Sequence, residues 1–228
     1  MIKKFELDLS SKITVFGIEL FRIKALISFS NVKKGELGGY VEKEENLTHS
    51  GNAWVSGDAW VYGNARVSGN ARVSGDAWVY GNARVSGNAW VYGDAWVSGN
   101  AWVSGDAWVY GNARVSGDAW VYGNARVSGN ARVYGDAEVY GDAEVYGDAW
   151  VYGDAEVSKL NDYIVFKNTW SSGRYFTYTT SNKMWKVGCF YGTGEELIKK
   201  AYQDNEDSGK HYEAYVNFVK TLEAMDEN

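Results

Sequence analysis

From Gly51 to Ser158 the chain repeats one six-residue pattern, Gly-(Asn/Asp)-Ala-(Trp/Arg/Glu)-Val-(Ser/Tyr), eighteen times without an insertion. The first copy is Gly51-Asn-Ala-Trp-Val-Ser56 and the last is Gly153-Asp-Ala-Glu-Val-Ser158. Ala and Val stand two apart, so an extended backbone points both to one side and the residue between them to the other. The unvarying pair is therefore the inside. Val fills it and suits a strand, while Ala fits a tight corner. Gly supplies the positive φ of a sharp turn, and Asn or Asp bonds the nearby backbone. A helix is excluded, because a Gly at every sixth position costs about 1 kcal/mol each. Three units close a triangular coil of eighteen residues, so the array predicts six coils of a left-handed parallel β-helix. At about 4.8 Å per strand layer the prism is roughly 30 Å long.

With only Val and Ala inside, no small-molecule cavity is expected there, and function falls to the outer faces and the ends. Every third unit stacks on one face. The first face reads Trp54, Arg72, Trp90, Trp108, Arg126, Glu144, and the second Trp60, Trp78, Trp96, Arg114, Arg132, Trp150. The third reads Arg66, Arg84, Trp102, Trp120, Glu138, Glu156. Nine outward Trp admit two explanations. Rings and guanidinium groups one layer apart stabilise each other by stacking with no partner, or the rows form an interface, since Trp, Tyr and Arg dominate binding hot spots. On the second explanation the unbroken Trp60/Trp78/Trp96 run marks the face expected to be buried.

Charge is polarised along the array. The net charge of -6 arises entirely from the repeats, which hold six Arg, nine Asp and three Glu. The last four units carry Asp136, Asp142, Asp148 and Asp154 with Glu138, Glu144 and Glu156 and no Arg. That sign disfavours direct nucleic-acid binding, and it makes Asp136, Glu138 and Glu156 candidates for attracting a basic surface. The plainer reading is a solvated acidic end that prevents end-to-end association.

The ends of a solenoid expose strand edges, so caps are expected. Residues 1–50 read as an N-terminal β cap with strands Phe5–Leu9, Ile13–Phe16 and Leu20–Ile27. Residues 159–228 read as a small α+β domain. Its three-stranded meander spans Tyr163–Asn168, Arg174–Thr180 and Met184–Tyr191, and two helices follow near Glu195–Gln203 and Lys210–Ala224. The solenoid proper is 51–158, and the whole is mainly β. Met1-Ile-Lys-Lys-Phe-Glu-Leu-Asp8 lacks the apolar stretch of a secretory signal, and no window reaches membrane-span length, so a cytoplasmic location is expected.

The aliphatic–small spacing, Val55 followed by Ala59 and Val61 followed by Ala65, resembles the hexapeptide-repeat family of left-handed β-helices. That resemblance implies self-association through one face, as a dimer or trimer. A closer likeness lies in Phe21-Arg-Ile-Lys-Ala-Leu26 and Val32-Lys-Lys-Gly-Glu-Leu-Gly-Gly-Tyr-Val-Glu-Lys-Glu-Glu-Asn-Leu47, followed by the Gly-Asn-Ala-Trp-Val units. Together they resemble hexapeptide-repeat proteins of bacteriophages and prophages, which implies a phage origin and a host protein as partner.

Chemistry is sparse. Hexapeptide acyltransferases use a His base and an extruded loop, whereas this array has neither; His49 and His211 lie outside it and read as surface or packing residues. Cys189 alternates with Trp185 and Val187, so it reads as core. Two distant His and one Cys offer no metal site, and no cofactor is expected. Gly192-Thr-Gly-Glu-Glu196 looks like a phosphate-cradling turn, but Thr193 with Glu196 is a capping box that explains it without a ligand. The array contains no Thr, which excludes an ice-binding face. The resulting expectation is a non-enzymatic, phage-encoded interaction protein, with inhibition of an antiphage defence such as CRISPR–Cas as a setting. Its alternatives are a structural or assembly component of the phage particle and a degenerate acyltransferase.

Overall fold

The computed structural model describes residues 2–226. Two long strands, β1 (Phe5–Val15) and β2 (Ile18–Ala25), form an antiparallel hairpin, and β3 (Leu37–Val41) joins its edge. Eighteen two-residue strands follow, β4 (Trp54–Val55) to β21 (Glu156–Val157), each made of the fourth and fifth residues of a repeat. A four-stranded meander, β22 (Tyr163–Lys167), β23 (Tyr175–Thr179), β24 (Met184–Val187) and β25 (Phe190–Gly192), then leads into α1 (Gly194–Asp204) and α2 (Glu206–Asp226).

Strands eighteen residues apart pair in parallel and in register, Trp78 with Trp96 and Val79 with Val97 for example, and build three sheets around the axis. Repeat Ala and Val are fully buried in all eighteen units. The expected triangular solenoid is the observed one, with one addition. Tyr40 and Val41 of β3 pair in parallel with Trp60 and Val61, and Leu47 bridges Val67, so an irregular turn precedes the six regular ones. The solenoid thus begins before the repeat does.

The backbone bonds have a direction that dictates the caps. The second, fourth and sixth residues of a unit donate their N–H to the first, third and fifth carbonyls of the unit one turn on, as in Asn70 to Gly87, Arg72 to Ala89 and Ser74 to Val91. The first turn is therefore left with carbonyls and the last with N–H groups, and a buried backbone group without a partner is costly. The N-terminal segment supplies donors: Lys4 Nζ to the carbonyls of Gly51 and Ala53, Asn46 Nδ2 to those of Gly63 and Ala65, and the amides of Tyr40 and Glu42 to those of Ala59 and Val61. The C-terminal segment supplies acceptors: Thr177 Oγ1 for Trp150 N–H, Ser181 Oγ for Glu156 N–H and Asp162 Oδ2 for Ser158 N–H.

Lys4 is buried, and desolvation, followed by the charge of Arg72, lowers its pKa from 10.5 to about 8. Because the folded pKa is depressed, the unfolded chain holds this proton more tightly between pH 8 and 10.5. Folding becomes more favourable as pH rises through that window, and the full cost remains below it. Lys4→Met is expected to destabilise the protein at pH 7 by about 1–3 kcal/mol, since the Gly51 and Ala53 carbonyls lose their donor. Urea unfolding at both ends of the window should also show the parent gaining up to about 3 kcal/mol relative to this variant. Equal stability of the two proteins at pH 7 would contradict the capping role.

Three local expectations are corrected. Phe5–Leu9 and Ile13–Phe16 are one strand, because Ser10 and Ser11 form a bulge whose backbone and hydroxyls bond Asp8 while the register shifts between Asp8 and Lys12. The last meander strand is broken into β24 and β25 at Gly188, whose φ is +57°. Cys189 consequently sits exposed in that turn rather than on the core face with Trp185. Helix α1 starts and ends within one residue of expectation, α2 starts four residues earlier and ends two later, and the Thr193–Glu196 capping box is formed on both sides.

Candidate functional site

Register turns the repeat into columns. On the second face Trp60, Trp78 and Trp96 stack with ring centroids 4.6 and 4.9 Å apart, and Arg114 lies 4.3 Å over Trp96. Arg132 lies 4.4 Å over Trp150, whose ring also carries Lys186 of the C-terminal unit at 5.5 Å. At the other end, Arg22 covers Tyr40 at 4.4 Å and pairs with Asp58 at 2.8 Å. All six candidate residues of this row therefore come together, in a column of rings and cations that both end segments extend. Their faces are used by one another, and the ring edges remain half-exposed. Asp58, Asp76 and Asp94 stand beside Trp60, Trp78 and Trp96 and line with them a groove of about 370 Å³ that ends at Asn112 and Arg114.

Asp136, Glu138 and Glu156 belong to a different surface, the third face and its corner. Glu138 and Glu156 are neighbours in the sheet, and each accepts a hydroxyl, from Tyr122 at 2.9 Å and from Tyr140 at 3.3 Å. Desolvation and then the Glu138 bond push Tyr122 up to about 12, so it remains a donor throughout the physiological range. Of the four successive tyrosines Tyr134, Tyr140, Tyr146 and Tyr152, register sends neighbours to different corners. Tyr140 stacks on Tyr122, Tyr152 tilts against Tyr191, and Tyr146 is exposed.

One of the nine outward Trp is not outward in effect. Trp54 is buried, with Phe29 edge-on at 5.5 Å, because the N-terminal segment folds over the start of the first face. Trp90 and Trp120 are the exposed ones. The corner columns carry a ladder that sequence reading missed: Asn64, Asn82, Asn100 and Asp118 are linked successively by side-chain amide donation at 3.2, 2.9 and 2.8 Å. Its signal was the eighteen-residue spacing of Asn before Asp. Arg22, Tyr40 and Lys186 had no such signal, since they lie outside the repeat.

Both His side chains are engaged by neighbouring groups. His49 Nδ1 accepts the Lys4 amide at 3.1 Å, which leaves Nε2 to donate to Glu44 at 2.6 Å, and the ring stacks on Phe5. His211 stacks on Trp170 at 4.5 Å and donates from Nδ1 to the Asp207 carbonyl. Among the described residues no cluster of three or more His, Cys, Asp or Glu is arranged to hold a metal ion, and no helix is long and apolar enough to cross a membrane.

No curated protein matches the chain. A family model, the YdcK β-solenoid repeat, matches residues 65–81, 77–93, 107–123, 119–135 and 125–141, and each match begins on a repeat Ala that the structure buries. Stacked parallel strands and this match together make the chain a β-helix repeat protein.

Proposed function

We propose that this chain is a non-catalytic interaction protein that binds a macromolecular partner through the side-chain rows outside its solenoid. The observation that carries this reading is the division of labour within the repeat: every interior position is Ala or Val and fully buried, while all chemical variation stands on the outside. The partner surface is the second face, where half-exposed Trp60, Trp78 and Trp96 edges sit beside an aspartate row in one groove with Arg114. Rigid aromatic edges flanked by charge suit a protein partner. The likeness of residues 21–47 to phage-encoded hexapeptide-repeat proteins supports a partner in a bacterial host's cytoplasm, with a component of an antiphage defence as the class to test first.

Affinity capture from host lysate, followed by titration of the captured protein against purified variants, tests the reading. Trp78→Ala with Trp96→Ala is expected to weaken binding at least tenfold while the far-UV circular dichroism of the solenoid is retained. Unchanged affinity in the double variant would remove the second face from the interface. The unbroken register of six turns also suits a rigid spacer in a phage particle, and recovery of the chain from purified virions with no host partner would favour that reading instead.

A further inference from the structure

The third face reads, layer by layer, Arg66, Arg84, Trp102, Trp120, Glu138, Glu156. Turned end for end, this order is complementary to itself. A second copy laid antiparallel on it, about a two-fold axis running along the strands between the Trp102 and Trp120 layers, sets Arg66 opposite Glu156, Arg84 opposite Glu138 and Trp102 opposite Trp120. Such an axis also reverses the two flanking columns onto themselves. The column before the strands then opposes Asn82 to Asp136 and Asn100 to Asp118, amide donors against carboxylates. The column after the strands opposes Ser86 to Tyr140 and Ser104 to Tyr122, a small side chain against a large one.

We propose that the chain forms an antiparallel, two-fold symmetric homodimer through this third face. Three observations single it out. First, the charges on it are unspent. Among the described residues the Arg66 and Arg84 side chains have no hydrogen bond, ion pair or ring contact, whereas Arg72 bonds Ser30, Arg114 and Arg132 lie over indoles, and Arg126 meets Trp108 and Glu144. Among the described residues Glu138 and Glu156 accept only tyrosine hydroxyls and pair with no cation. Second, aromatic rings occupy the centre and opposite charges the rim, with Trp120 46 % exposed, which is the anatomy of a specific interface. Third, the other faces oppose this pairing. Reversal of the first face sets Arg72 against Arg126. The second carries Phe16, the protruding hairpin tip, edge-on to Trp78 at 6.1 Å.

Parallel two-fold or three-fold packing through the third face would set Arg66 near Arg66 and Glu138 near Glu138, so the complementarity selects the antiparallel dimer and rejects a trimer through this surface. Six layers of about 4.8 Å and a face roughly 15–20 Å wide give a flat footprint of about 430–580 Å² per protomer. Doubled, that reaches the lower end of specific interfaces, so a dimer in the micromolar range is expected, weakened by salt. This inference is independent of partner binding through the second face, and the two stand or fall separately.

Sedimentation of the full chain over a concentration series provides the test. A monomer–dimer equilibrium at one and two times 25.3 kDa is expected. Arg84→Glu alone and Glu138→Arg alone should each weaken it at least tenfold. An equimolar mixture of those two variants should associate as tightly as the parent, because the altered charges then oppose one another across the two-fold axis. The double variant within one chain should also recover dimerisation, which separates loss of the interface from loss of the fold. A parent that is monomeric to about 100 μM, well above the expected constant, or is trimeric, overturns the proposal. So does dimerisation that survives either single change, or a mixture that fails to associate.

Discussion

Gly99→Ala is expected to destabilise the solenoid by about 2–5 kcal/mol, and Gly147→Ala by only about 1–2 kcal/mol. Both glycines have positive φ, +68° and +67°, so a Cβ at either position carries the same left-handed cost. They differ in what lies one turn on. A Cβ on Gly99 would lie 2.8 Å from both N and O of Gly117, backbone atoms held by layers on both sides, whereas one on Gly147 meets nothing within 4 Å. The difference between the two variants therefore isolates the cost of layer spacing from that of backbone conformation. Thermal or urea unfolding of both proteins measures it. Equal losses would mean that the glycines are required for their φ alone.

Truncation after Ser158 is the second large effect. It removes Thr177, Ser181 and Asp162, the acceptors for Trp150, Glu156 and Ser158 N–H, and uncovers the fully buried Val151 and Val157 of the last turn. An open strand edge on an apolar end is a template for pairing with other chains. The truncated chain is expected to form heterogeneous assemblies by light scattering, distinct from any discrete dimer, and to unfold at lower denaturant. A milder version keeps the whole chain: Thr177→Val leaves Trp150 N–H without its acceptor and should cost about 1–3 kcal/mol. A truncated chain as monodisperse and stable as the parent would show that the last turn needs no cap.

Much of the architecture was legible because the repeat has one conserved geometry. A side chain such as Val79 needs only its own unit to be assigned inward, and subtracting or adding eighteen gives its neighbours Val61 and Val97. The same arithmetic placed Trp60, Trp78, Trp96, Arg114, Arg132 and Trp150 in one column, and separated from them Glu138 and Glu156. It failed where a residue's environment is set by chain outside the repeat. Trp54 follows the pattern of Trp90, yet it is buried because Phe29 and its segment cover it. Cys189 follows a strand alternation, yet a positive-φ Gly188 turns the chain first.

Sequence alone determined the solenoid: the period of two within each unit assigns inside and outside, and the period of six sets corners and columns. Only the tertiary structure decided how the ends are closed and which outer groups remain free. The backbone bonds run one way along the axis, so one end needs donors and the other acceptors. Lys4, Asn46, Asp162, Thr177 and Ser181 meet those needs from segments with no repeat. Register alone does not decide whether an arginine is spent: Arg114 lies over the Trp96 indole one layer away, whereas Arg84, with Trp102 in the neighbouring layer, makes no ring contact among the described residues. Local periodicity fixes which way a side chain points, but contact across turns fixes what it meets.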